Sequence, residues 1–126
     1  MVARAITRAD ADRVQRTMRA LTAQLPGATL DVTGGFDRPP LERTAAVEKL
    51  FNQAKAVAAD MGITLEEGSA GGGSDGNFTA AIGVPTLDGF GAIGDGAHAI
   101  HEHVEIDALV PRAAVIAGLL QSLARR

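Results

Sequence analysis

The sequence predicts an α/β chain with some parallel strand pairing. Three long stretches repeat apolar residues at three- and four-residue spacing, the period of a helix with one buried face. Between them lie short apolar runs bounded by glycine and proline, which suit buried strands. A glycine-dense segment over residues 68–96 separates the second and third long stretches. Strands alternating with helices in this way build an α/β fold.

Taken in order, residues 2–7 are β-compatible. Asp10 is suited to cap a helix over 10–24, with Val14, Met18, Leu21 and Leu25 on one face. Pro26 and Gly27 end it, and residues 28–32 alternate loosely as a strand. Residues 34–40 hold Gly34, Gly35, Pro39 and Pro40, a break that marks a hinge or domain boundary. A second helix is expected over 41–61, with Val47, Leu50, Phe51, Ala54, Val57 and Ala58 facing in and Gly62 as its stop. Residues 63–66 form a short strand. Ser74 or Asp75 caps a short helix to about residue 82, Gly83 stops it, and 84–87 is a buried strand. Residues 89–99 are loop. Asp107 caps the last helix, to about residue 124, with Leu109, Ala113, Ile116, Leu120 and Leu123 facing in. Pro111 falls in its first turns, where it is tolerated.

The chain has 126 residues and is 46% hydrophobic, enough for a core. Trp and Tyr are absent and Phe numbers four, so each contact buries little area and stability should be modest. A net charge of −3 gives no basic face, which argues against nucleic acid and anionic membrane as partners. Without cysteine there is no disulfide and no thiolate metal site. No apolar run approaches the roughly 20 residues of a membrane span. No signal-peptide core follows Met1, so a cytoplasmic domain is expected.

Two constellations stand out. Gly71, Gly73 and Gly76 satisfy G-x-G-x-x-G between a strand and a helix, a pattern that holds a dinucleotide pyrophosphate. The helix that follows is short, and no acidic residue ends a second strand about 20 residues on. A flexible linker also fits GSAGGGSDG by composition, though less well the apolar FTAAIGVPTL that follows. His98, His101 and His103 form H-x-x-H-x-H, which is not a closed zinc pattern; one of them as a ligand needs donors from elsewhere.

The segment Gly71-Gly72-Gly73-Ser74-Asp75-Gly76-Asn77-Phe78, followed by Gly83-Val84-Pro85, Gly96-Ala97-His98 and Glu102, is similar to a family signature. With VARAI, LDVTGGFDRPP and the helices in the same order, nearly the whole chain resembles the C-terminal part of the zinc aminoacylase and glutamate-carboxypeptidase family. That family also includes succinyl-diaminopimelate desuccinylase. The resemblance implies a partial lid or dimerisation domain (strand, helix, strand) over 1–33 and a hinge over 34–40. Residues 41–126 would be the C-terminal part of a phosphorylase/hydrolase-like catalytic α/β domain. It implies zinc-dependent hydrolysis of N-acyl or peptidyl amides that bear a carboxylate, with His98 the last ligand of a two-zinc site. The loop Gly71, Gly72, Gly73, Ser74 and Asp75 would line the substrate pocket. Arg4 matches an Asp-Val-Arg strand and Arg38 an arginine after the lid, and in the family these bind the carboxylate.

The chain departs from the pattern at Val2 and Ala3, where Asp-Val is frequent, and at His101, where an acid is usual. The family's upstream His-x-Asp motif, bridging Asp and Glu-Glu pair have no match here. The chain is therefore expected to be a fragment, inactive alone, with no catalytic residue assigned and its exposed strand edges favouring a homo-oligomer. Two alternatives stay open: a small-molecule or nucleotide-binding module using the loop 71–76, and a non-catalytic oligomerising protein.

Overall fold

The computed structural model describes residues 2–125. It is a mixed α/β structure in which helices dominate: α1 (Arg8–Arg19), α2 (Ala45–Asp60), α3 (Gly76–Ala81) and α4 (Ile106–Ala124), with strands β1 (Gly94–Asp95) and β2 (His103–Val104) between α3 and α4. The chain divides into two compact units that do not follow chain order. One combines the residues up to Thr44 with Ala70–Thr86; the other combines Ala45–Ser69 with Leu87 onward.

In the first unit, α1 begins earlier than expected because Thr7, not Asp10, is its cap. Thr7 Oγ1 accepts from the Asp10 N–H at 3.1 Å and donates to Asp10 Oδ2 at 2.8 Å. Two groups at a helix start thus satisfy each other, a variant of the capping box. The helix stops at Arg19, short of the expected residue 24. Its end is closed by Ala20 N–H to Arg16 O at 3.0 Å and the tighter Leu21 N–H to Met18 O at 3.3 Å, and beyond it Gln24 Nε2 donates to the Thr22 carbonyl at 3.2 Å. Leu21 and Leu25, expected on the buried face, lie beyond the helix and are 48% and 74% exposed. Ala11 is buried, with Val14 and Met18 half-buried beside it.

Residues 2–7 and 28–32, expected as strands, are not strands. The same holds for 63–66 and 84–87. A strand is defined by its ladder, and none of these runs finds a partner among the described residues. The expected parallel pairing is likewise replaced by one antiparallel pair, Gly94 opposite Val104 and Asp95 opposite His103.

The short helix α3 closes with Gly83 at φ +87°, where the Gly83 N–H reaches Ala80 O and the Val84 N–H reaches Thr79 O. In the second unit α2 ends the same way: Gly62 stands at φ +71°, with Gly62 N–H to Ala59 O and Ile63 N–H to Ala58 O, each 2.9 Å. This paired bond pattern satisfies orphan carbonyls and needs a residue that accepts left-handed backbone.

The inward face of α2 is the expected one. Val47, Phe51, Ala54 and Ala58 are buried, and Phe51, Ala54 and Ala58 form a cluster with Leu65 and Val115. Ile63, Leu87, Phe90 and Leu119 pack against it.

The face of α4 is a correction. Val115 is buried and Leu119 packs on the core, while Leu109, Ala113, Ile116 and Leu120 are exposed and only Leu123 is half-buried. The reason is Gly118. A β-carbon there would lie 2.7 Å from Val57 Cγ1 and 3.0 Å from Met61 Cε, so the glycine side is the one that lets α2 approach.

Asp107 sits in the first turn of α4 and Glu105 precedes the helix, without a side-chain cap bond. Pro111 lies inside the helix and forgoes the bond to the Asp107 carbonyl. At 19 residues α4 is long and apolar enough to cross a membrane by length and composition alone, contrary to the expectation that no segment approached this. Arg112 on α4 donates to the carbonyls of Gly89 and Gly91 and covers the Phe90 ring at 5.5 Å, fixing the loop before β1.

Candidate functional site

Arg4, Arg38 and the loop 71–75 lie in the first unit, and the structure brings them together. Two polar side chains shape the loop. Ser74 Oγ accepts the Gly76 N–H at 3.1 Å, and Asn77 Oδ1 accepts the Ser74 N–H at 2.8 Å. Ser74 thus does the local capping expected of Ser74 or Asp75; Asp75 precedes α3 but makes no cap bond. Asn77 Nδ2 also donates to the Pro39 carbonyl at 2.7 Å, tying the Arg38 segment to the loop.

Arg38 is held on three sides. Its Nη1 donates to Ser74 O and to Asp75 Oδ1, each at 3.0 Å, and its guanidinium carbon lies 4.9 Å from the centroid of the Phe78 ring. Arg38 is 40% exposed and Asp75 94% exposed, so the ion pair itself contributes at most about 1 kcal/mol. Its effect is orientation: the guanidinium is fixed in one plane against the loop. Arg4 lies against Gly71. No hydrogen bond or ion pair engages the Arg4 side chain among the described residues. Gly72, between the two arginine contacts, has nothing within 4 Å of where a β-carbon would stand.

His98 belongs to the second unit, in the connection between β1 and β2. It is exposed and stands at φ +68°, a left-handed conformation that costs a non-glycine residue about 1–2 kcal/mol. The turn is stitched by Ala99 N–H to Gly96 O at 2.7 Å, Glu102 N–H to Ala99 O at 3.1 Å and Gly96 N–H to Asp95 Oδ1 at 2.7 Å. Glu102 Oε2 accepts the His98 N–H at 3.4 Å. The His101 ring packs over Gly96, and His103 Nδ1 pairs with the His101 carbonyl at 3.0 Å.

The His101 and His103 imidazoles serve the hairpin. Among the described residues no group of three or more His, Cys, Asp or Glu side chains is placed to hold a metal ion. A closed zinc site needs about four donors. The residues present therefore do not by themselves fit one.

The hairpin, Phe78 beneath Arg38 and the double role of Asn77 were not foreseen from sequence. Strands of two residues carry no readable period. The Asn three positions after Ser74 was a usable signal, because Asn side chains bond nearby backbone at turns.

The family model described as peptidase family M20/M25/M40 matches residues 7–122. A succinyl-diaminopimelate desuccinylase of Ralstonia pickettii (strain 12J) is 38% identical over 95 residues, covering 75% of this chain and 24% of that protein. Carboxypeptidase G2 of Pseudomonas sp. (strain RS-16) is 32% identical over 118 residues, covering 90% of this chain and 28% of that protein. The chain thus spans about a quarter of the length of these curated relatives. No solved structure matches it.

Proposed function

The chain belongs to peptidase family M20/M25/M40, and from that membership we propose that it supplies the carboxylate-gripping part of a zinc-dependent hydrolase acting on N-acyl or peptidyl amides. One relative is named a succinyl-diaminopimelate desuccinylase and another a carboxypeptidase. The first name gives removal of a succinyl group and the second a carboxypeptidase, and in the proposed reading both point to a carboxylate-bearing substrate.

The observation that carries the reading is the guanidinium of Arg38, oriented by Ser74, Asp75 and Phe78, with Arg4 on the same loop. A planar guanidinium grips both oxygens of a carboxylate. In this reading Arg4 and Arg38 hold that group, and Gly71, Gly72, Gly73, Ser74 and Asp75 line its pocket. Residues 1–33 act as part of a lid, 34–40 as its hinge and 41–126 as part of the catalytic domain. If a metal is bound, His98 would supply one ligand to it, with the remaining donors and the general base supplied by other residues. Zinc when bound polarises a carbonyl and activates water. The chain alone is then expected to bind substrate-like carboxylates without hydrolysing them.

A thermal-shift series tests this. N-acetylglutamate at millimolar concentration should raise the melting temperature of the chain, and Arg38→Ala should abolish the rise. A rise with ATP and none with N-acetylglutamate would replace this reading with the nucleotide-binding module that Gly71, Gly73 and Gly76 suggest. Zinc measured by equilibrium dialysis should bind weakly. Stoichiometric, sub-micromolar zinc lost on His98→Ala would mean that the site is complete.

A further inference from the structure

The geometry points to Gly71 and Gly73 as positioning residues, each a seat for the aliphatic arm of one arginine: Gly71 for Arg4 and Gly73 for Arg38. A β-carbon on Gly71 would stand 2.9 Å from Arg4 Cδ and 3.2 Å from Arg4 Nε. On Gly73 it would stand 2.7 Å from Arg38 Cδ and 3.2 Å from Arg38 Nε. Carbon atoms pack at about 3.5–4.0 Å. Neither arginine can therefore keep its place over a residue that has a side chain.

Two comparisons within the loop separate this from simple flexibility. Gly72 lies between the seats and meets nothing within 4 Å, so the demand for glycine alternates along the loop as the contacts do. Neither Gly71 nor Gly73 is at positive φ, so the backbone itself would accept an L residue. What excludes a side chain is the arginine. The seats are two residues apart, which fixes their Cα atoms within about 7 Å of each other. They therefore set the spacing of two guanidinium groups on one loop.

The two arginines depend on their seats differently. Arg38 has further anchors in Ser74 O, Asp75 Oδ1 and the Phe78 face. Arg4 has no hydrogen bond or ion pair among the described residues, so packing on Gly71 is what locates it. An arginine arm is flexible, so a methyl group at either seat displaces the arginine rather than the loop. This inference rests on the proposed carboxylate reading only for the choice of probe.

The test follows the arginine Nε–Hε resonances of the ¹⁵N-labelled chain. In the wild type the Arg38 signal should be shifted by the ring current of Phe78, whose centroid lies 4.9 Å from the guanidinium carbon. Gly73→Ala should remove that shift and leave the Arg4 signal in place; Gly71→Ala should move Arg4 and leave Arg38. Helical content by circular dichroism should be retained in both variants. Succinate is the probe ligand. It should move both signals in the wild type, and each substitution should weaken its binding about fivefold or more, which is about 1 kcal/mol at ~1.4 kcal/mol per tenfold. In an Arg38→Ala background, Gly73→Ala should cost no further affinity.

Unchanged arginine signals in the variants, or a full additional loss in the Arg38→Ala background, would overturn the proposal. So would a collapse of helical content in Gly73→Ala, which would make Gly73 a folding residue. Variant-specific movement of the arginines together with no response to succinate even in the wild type would support the seats and sink the carboxylate reading instead.

Discussion

Arg13 Nη2 sits 2.9 Å from Asp10 Oδ1, and with the Thr7 hydroxyl it holds the Asp10 carboxyl below its ordinary value of 3.8. A depressed carboxyl stabilises the fold above its unfolded pKa, and this contribution is lost as pH falls through the lower folded value. Asp10→Asn should therefore reduce helix content near neutral pH and make no difference in strong acid, as read by circular dichroism against pH. Thr7→Ala should cost about 1 kcal/mol by denaturant titration, because it removes a cap. Both residues are readable in the sequence, since Thr7 and Asp10 have capping-box spacing; Asp10 alone puts the helix start three residues late. The resemblance also groups Arg4, Arg38 and the loop, and the structure places them side by side. The left-handed backbone of His98 and the Phe78 face under Arg38 are not readable, because both arise from contacts that no spacing rule encodes.

At the scale of elements, the long helices were legible and the strands were not. A helix carries its hydrogen bonds within one segment, so period suffices for the buried face of α2 and its Gly62 stop, while its start falls at Ala45 and not at the expected residue 41. A strand's bonds lie in another segment, so a short apolar run such as 84–87 gives no sign of whether its partner exists. The face of α4 failed for a different reason. The helix is apolar nearly all round, so hydrophobic pattern cannot choose a side, and the choice falls to the small residue that allows close approach. Gly118→Leu should destabilise the second unit by about 1–3 kcal/mol through overpacking against Val57 and Met61. Gly118→Ala should cost less, because about 1 kcal/mol of helix propensity offsets the clash. Urea titrations compare the two, and a gain in stability for Gly118→Leu would disprove the packing account.

At the scale of the whole molecule, residues 70–86 join the N-terminal segment across a long interval of chain. No local signal reports so distant an association, so sequence pattern alone gives consecutive pieces. The outer side of α4 leaves Ile106 at 79% and Val110 at 77% exposure. Apolar faces of this kind mark interfaces, and the chain is expected to self-associate. Sedimentation equilibrium at micromolar concentration should give a dimer or larger species; a monomer with a cooperative melt would contradict this. In the proposed function, this chain recognises a carboxylate through Arg4 and Arg38. The most direct measurement is calorimetric titration of the wild-type chain with N-acetylglutamate and with its diamide. The acid should bind at least about tenfold more tightly, a difference of ~1.4 kcal/mol, and Arg38→Ala should erase the preference. Equal affinity for acid and amide, or a preference that survives Arg38→Ala and Arg4→Ala together, would contradict the account.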